Sequence, residues 1–187
     1  MTMMFRFLAV ALLSALSAAS AHLPNLDGKL LDPLQPSSGT KASVLLFVST
    51  DCPISNRYAP DIRKLYDVYA KDGVMFWLVY PNPAEGPADI RDHLKAFALP
   101  GTALRDVKHD LVKASGATIT PEAAVYNAKG TLTYRGRIDD RYSAVGIEKA
   151  QAGRRDLQDA IAATLAGTPV KQKFTQAVGC YIADFLR

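Results

Sequence analysis

The 187-residue chain has no run of lysines and arginines, no internal repeat, no linker that would separate one domain from another, and only two cysteines. Each shortage excludes something. Basic residues number 22 against 18 acidic ones, and the two kinds interleave throughout. A nucleic-acid footprint needs basic residues gathered on one stripe, so no nucleic-acid partner is expected. Apart from one block near the start, no segment approaches the roughly 20 apolar residues of a membrane span. Hydrophobic residues make up 49% and charged residues 21%. That balance suits one globular domain with a full core and is wrong for a disordered or fibrous chain.

The first 21 residues read as a targeting segment. Arg6 is their only charge, a short apolar block runs from Phe7 to Leu16, and Ala19-Ser20-Ala21 follows. A charged start, a short apolar core and an Ala-x-Ala site are the anatomy of a secretory signal peptide. The block is about half a membrane span, so cleavage after Ala21 is expected, with a mature chain beginning at His22 and no further membrane attachment. No cysteine lies near the site, which excludes lipid attachment there. The expected location is periplasmic or secreted, where disulfides form and persist. Both cysteines, Cys52 and Cys180, fall in the mature chain, and an even count permits a bond between them.

Residues 22–42 are a loop-rich lead-in, with prolines at 24, 33 and 36 and a short hairpin turn expected at Asp27-Gly28. The domain proper is expected over residues 43–167, followed by a polar tail, 168–187, that carries Cys180. Val44–Val48 and Val74–Tyr80 are continuous apolar runs, the pattern of strands buried on both faces. Between them Tyr58, Ile62, Leu65 and Tyr69 recur at helical spacing. Ile90, Leu94 and Phe97 mark a second helix, and a further turn or two is expected near 110–114. Ala123–Tyr126 reads as a strand, Asn127–Gly130 as a turn and Thr131–Arg137 as its hairpin partner. Leu157, Ile161 and Leu165 carry the last helix. The order β-α-β-α-β-β-α, with a right-handed parallel crossover first, predicts an α/β fold: a mixed central sheet with helices on both faces.

The segment Ser49-Thr50-Asp51-Cys52-Pro53-Ile54-Ser55 concentrates the chemistry. It puts Cys52 just past the end of a buried strand and just before a helix, and ligand sites form at strand carboxyl ends in open α/β sheets. Free N–H groups at a helix start stabilise a thiolate and lower its pKa. Asp51 opposes this and Arg57 assists it. Pro53 suits the first helical turn, where its missing N–H costs nothing.

On these residues the chain resembles the thioredoxin-like superfamily, in its exported, peroxiredoxin-related redoxin branch. The resemblance covers about residues 25–167. Cys52 stands where that family has its nucleophile, Pro60 where it has a helix-kinking proline, and Thr120-Pro121 where it has a cis-proline. The resemblance implies that Pro121 is cis, lies opposite Cys52 and holds Thr120 ready to pair with an extended peptide. Departures are also visible. Ser55 replaces the second cysteine of Cys-x-x-Cys, so exchange within that motif is impossible. Ser49 fills the hydroxyl position of the peroxiredoxin motif, but Leu45 replaces its proline. Asn56 replaces the second cysteine of copper-delivering relatives.

Cys180 has two readings: a structural disulfide with Cys52 that pins the tail, or a resolving cysteine that attacks a mixed disulfide on Cys52. Thirteen extended residues after Gly167 reach roughly 40 Å, so distance forbids neither. His93 and His109 read as solvated or capping and Trp77 as core; the Arg135–Arg141 segment reads as a solvated strand end, though the resemblance implies a place on the sheet's far margin where this loop can meet the tail. The leading expectation is a thiol–disulfide oxidoreductase with Cys52 and Cys180 as catalytic residues, Thr120 and Pro121 as substrate-binding residues, and Ser49, Pro53 and Ser55 in support. It needs no cofactor and no metal, and its partners are protein thiols or disulfides. The alternatives are peroxide reduction at Cys52, or a binding module, for which His22 and the two cysteines offer copper ligands.

Overall fold

The computed structural model describes residues 21–35 and 37–182. The signal segment, Ala21 excepted, lies outside the described residues; Ala21 itself is buried. In chain order the elements are β1 (Leu23–Pro24), β2 (Leu30–Leu31), β3 (Ala42–Phe47), α1 (Pro53–Arg57), α2 (Ala59–Tyr69), β4 (Val74–Tyr80), α3 (Pro87–Phe97), β5 (Thr102–Arg105), α4 (Asp110–Ser115), β6 (Ile119–Thr120), β7 (Glu122–Asn127), β8 (Leu132–Gly136), β9 (Tyr142–Ala144), β10 (Ile147–Glu148), α5 (Asp156–Leu165) and β11 (Cys180–Tyr181).

The central sheet has the order β5-β4-β3-β7-β8. Strand β3 pairs parallel with β4, Val44 opposite Phe76 and Phe47 opposite Val79, and antiparallel with β7. All six residues of β3 are buried, as expected of a central strand covered on both sides. Alternate residues feed two cores. Val44 and Leu46 pack with Ile62 of α2, Ile90 of α3 and Leu157 and Ile161 of α5. Leu45 and Phe47 pack with Trp77, Val79, Leu111 of α4, and Leu23 and Leu34 of the N-terminal segment. One face is thus covered by helices, the other by the short α4 and the lead-in with its β1–β2 hairpin.

Several features differ from the sequence reading, among them the split of the first helix into α1 and α2, the short strands β6, β9, β10 and β11, strand β5 and the Arg135–Arg141 segment. Strand β5 was not expected; it is a four-residue parallel edge, and a run that short with two apolar residues carries no strand signal of its own. The Arg135–Arg141 segment is not a solvated strand end, but it does meet the tail, as the resemblance implied. Arg137 Nε donates to buried Asp156 (2.7 Å), and Arg141 bonds Asp61 and Asp139 while its guanidinium lies 4.6 Å from the Tyr58 ring centroid. Arg135 stacks on Phe174 of the tail, 4.5 Å from the ring centroid.

The tail is docked along its length. Arg135 N–H donates to Lys173 O, and Thr175 N–H donates back to Arg135 O. The Thr175 hydroxyl meets Tyr134 OH (2.6 Å) and accepts from Arg137 N–H (3.1 Å). Gly136 makes this possible: its φ is +150°, and a Cβ there would lie 2.2 Å from Thr175 Oγ1. From there the chain crosses the end of the sheet and reaches Thr120.

Candidate active site

Cys52 follows the loop after β3 and precedes α1, with extended backbone (φ −82°, ψ 110°) and Pro53 in the first helical turn. Helix α1 has only five residues; the chain then bends at Tyr58 before α2, whose second residue is Pro60. The missing proline N–H suits a new helical start better than a continuous helix.

The loop before Cys52 is tied down by a carboxylate that sequence reasoning missed. Glu85 is buried, and its Oε1 accepts from Thr50 N–H (2.6 Å), Thr50 Oγ1 (2.8 Å) and Ser49 Oγ (2.9 Å). The Ser49 hydroxyl also faces the Asp51 carboxylate. In sequence Glu85 sits in Pro83-Ala84-Glu85-Gly86-Pro87, which reads only as a surface turn.

A second tie runs through Asn56. Its Nδ2 donates to Thr50 O (3.2 Å), and its Oδ1 lies 2.7 Å from His93 Nε2. His93 Nδ1 lies 2.9 Å from Tyr80 OH. An amide oxygen only accepts, so Nε2 carries the proton and Nδ1 accepts from the tyrosine. Burial lowers the His93 pKa, in keeping with that neutral ring. The expectation that His93 and His109 are solvated is therefore corrected, since both are buried, while His109 does stand at the N-cap position of α4, without a side-chain capping bond. His93 braces α1 from α3, and His109 Nε2 meets Pro81 O at 3.0 Å.

Cys52 has no exposed surface. Its Sγ lies 3.1 Å from the carbonyl oxygen of Thr120, and the Thr120–Pro121 bond is cis. Cys180 Sγ–H donates to Cys52 Sγ at 2.9 Å. Burial raises the Cys52 thiol pKa, but contacts from the Cys180 thiol, from the Ser55 amide and hydroxyl and from the Thr120 side chain outweigh it and leave the pKa lowered. Among the described residues the buried Ser55 hydroxyl has no other hydrogen-bond partner. With α1 so short, these discrete contacts, rather than a long helix dipole, favour the thiolate. Cys180 goes the other way. Burial, the Cys52 sulfur and the Asp51 carboxylate push its pKa up to about 12. Asp51 thus acts on Cys180, not on Cys52 as its sequence position suggested. Arg57 does not assist the thiolate either; it pairs with Glu148 at 2.8 Å.

The geometry therefore brings Cys52, Cys180, Thr120, Pro121 and Ser55 to one point, with Pro53 beside it and Ser49 turned to Glu85. Strand β11 pairs antiparallel with β6, Cys180 opposite Thr120 and Tyr181 opposite Ile119. Among the described residues no group of three or more His, Cys, Asp or Glu side chains is placed to hold a metal ion, so His22 does not join the two cysteines as a ligand set. It lies 4.0 Å from Asp32.

No curated protein matches the chain. Among solved structures it resembles an uncharacterized conserved protein from Geobacillus kaustophilus (24% identity, TM-score 0.79, 91% of each chain covered). It is also similar to a hypothetical protein, SMc02350, from Sinorhizobium meliloti 1021 (27% identity, TM-score 0.75, 88% of this chain and 91% of that one). A secreted disulfide oxidoreductase of Mycobacterium tuberculosis shares the fold at 20% identity and TM-score 0.55, over 82% of this chain and 99% of that one. The mixed sheet with helices on its faces and the cysteine before the first helix are those of a thioredoxin-like domain. The redoxin family model matches residues 14–151; the chain belongs to the redoxin family.

Proposed function

We propose that this chain is an exported thiol–disulfide oxidoreductase whose working pair is Cys52 and Cys180. The observation that carries the reading is the direct contact of the two sulfurs, with one thiol pKa lowered and the other raised. A lowered pKa supplies the nucleophilic thiolate, and a second sulfur in contact lets an internal disulfide close. Cys52 is the nucleophilic sulfur and Cys180 the sulfur it bonds. The pair cycles between thiolate plus thiol and an internal disulfide, exchanging two electrons with thiols or disulfides of a protein partner. Thr120 and cis-Pro121 form the edge on which an extended segment bearing the second sulfur lies. Ser55 favours the thiolate, and Pro53 and Ser49 shape the loop.

Export rests on the signal-like residues 1–21 and on the secreted state of the Mycobacterium tuberculosis neighbour. In this reading residues 22–42 are the lead-in, 43–167 the domain and 168–187 the redox-bearing tail. Peroxide reduction has less support, because the Ser49 hydroxyl is engaged by Glu85 and Asp51 and Leu45 is a core residue of β3.

The test is redox titration of the reduced protein against glutathione, with free thiols counted by alkylation and mass. The expected result is loss of both thiols together into a Cys52–Cys180 disulfide, with catalysed reduction of a protein disulfide abolished in Cys52→Ala. Two thiols that stay free in excess oxidised glutathione would sink the proposal.

A further inference from the structure

The two sulfurs of the pair are unequally open to the outside. Cys52 has no exposed surface, whereas Cys180 is exposed. What covers Cys52 is the tail strand. Besides the pairing of Cys180 with Thr120, Ile182 N–H donates to Thr118 O (2.9 Å) and the Thr120 hydroxyl donates to Cys180 O (3.4 Å). Gly179 lets the strand come this close: a Cβ there would lie 2.0 Å from Thr120 O and 2.8 Å from Ile119 Cγ2. The tail thus fills the edge beside the cis-proline with a cysteine of its own.

Cys180 also stands in the wall of a groove of about 450 Å³, formed with Pro53, Ile54 and Arg57 of α1, Gly179, and the β9–β10 hairpin, whose tip carries exposed Val145. On the other side of the tail, a cavity of about 240 Å³ is lined by Cys180, Tyr181, Asp51 and Ser49. Cys180 borders both; Cys52 borders neither. A protein thiol arriving from solvent along either route meets the Cys180 sulfur first.

Resting on the proposed redox pair, we propose that the chain meets its reductant through Cys180 rather than Cys52, the partner being a reduced protein dithiol that enters the groove between α1 and the β9–β10 hairpin. The partner thiolate attacks Cys180 Sγ of the internal disulfide. A bond forms between partner and Cys180 as the Cys52–Cys180 bond breaks, and Cys52 leaves as thiolate. The partner's second thiolate then attacks its own first sulfur, and Cys180 leaves and takes up a proton. The partner is oxidised to a disulfide by two electrons, and the chain returns to the thiolate–thiol pair. The polarity suits the leaving groups, since a thiol of lower pKa leaves faster and Cys52 is the lowered one. In this reductive half of the cycle Cys52 is the leaving group and Cys180 carries the mixed disulfide; Cys52 remains the nucleophilic sulfur of the reduced pair.

The test uses the full chain, oxidised, with a thioredoxin whose second active-site cysteine is replaced by serine, so that the mixed disulfide is trapped. After acid quenching and alkylation, peptide masses show which cysteine holds the adduct. The expected adduct is on Cys180, with Cys52 alkylated. An adduct on Cys52, or none from a chain shown to carry the internal disulfide, overturns the inference and leaves the redox pair intact. An oxidised chain that lacks the Cys52–Cys180 disulfide sinks both.

Discussion

The proton between Cys52 and Cys180 is unequally held, and the contacts responsible are single residues. The Cys180 thiol is the largest of the contacts that lower the Cys52 pKa, and Ser55 follows. Removing them should move the pKa in that order. Cys180→Ala should raise it most, because burial then acts with less opposition, and Ser55→Ala should raise it by less. The rate of Cys52 alkylation against pH reads this directly, since only the thiolate reacts. The rate should fall as pH drops through the Cys52 pKa, and that midpoint should shift upward in both variants. A larger shift in Ser55→Ala than in Cys180→Ala would contradict the assignment of the sulfur–sulfur contact as the main stabiliser.

Elements set how far these residues can be reached. Strand β11 is only two residues long, and it depends on the absence of a side chain at Gly179. Gly179→Ala should force the strand off Thr120 and open Cys52. Measured at a pH above the Cys52 pKa, where the lost Cys180 contact no longer limits the thiolate, the alkylation rate of Cys52 in the reduced protein should then rise on the order of tenfold, while β8 and the Thr175 contacts keep the upstream tail in place. Deleting residues 178–187 should do the same without any new clash. A second element-scale prediction concerns α3, braced to α1 by His93. The folded-state pKa of His93 is lowered from 6.5, so the neutral ring is favoured by folding. Its contribution is present above pH 6.5 and is lost as pH falls through the folded pKa. Asp106, raised to about 6 by burial, works in the opposite sense, its contribution being lost as pH rises through about 6. The His93 effect is therefore read as the difference between wild type and His93→Gln in urea midpoint from pH 8 to 5. That difference should shrink toward acid.

At the scale of the whole molecule, closing a disulfide between residues 128 apart restricts the unfolded chain. The chain-entropy model puts the gain at about 4–5 kcal/mol. The oxidised protein should unfold at higher urea than the reduced one, and Cys180→Ala should abolish the difference. In the core, Leu46 is fully buried among α2, α5 and β4 residues; Leu46→Ala should cost about 2–5 kcal/mol, seen as a lower urea midpoint in either redox state. The proposed export is also tested on the whole chain. Mass spectrometry of secreted material should find His22 as the first residue, and an intact Met1 there would count against cleavage.

Much of the framework is decided locally and so is legible in the sequence. Continuous apolar runs made β3 and β4, because a strand covered on both faces has no polar side to show. Apolar spacing of three and four made α2, α3 and α5, and Asn127–Gly130 made the β7–β8 turn. The placement of Cys52 between a buried strand and a helix was legible for the same reason. Contacts between distant segments were not. The pairing of Cys180 with Thr120 joins residues 60 apart through a two-residue strand too short to carry a pattern. Glu85 and Ser49 meet across 36 residues, and His93 and Asn56 across 37; nothing in a turn or on a helix face announces which polar group across the fold will need a partner. Local sequence therefore determined where Cys52 sits. Only the tertiary structure decided that a second sulfur covers it, because burial and hydrogen-bond partnership belong to the packed chain and not to any window of it.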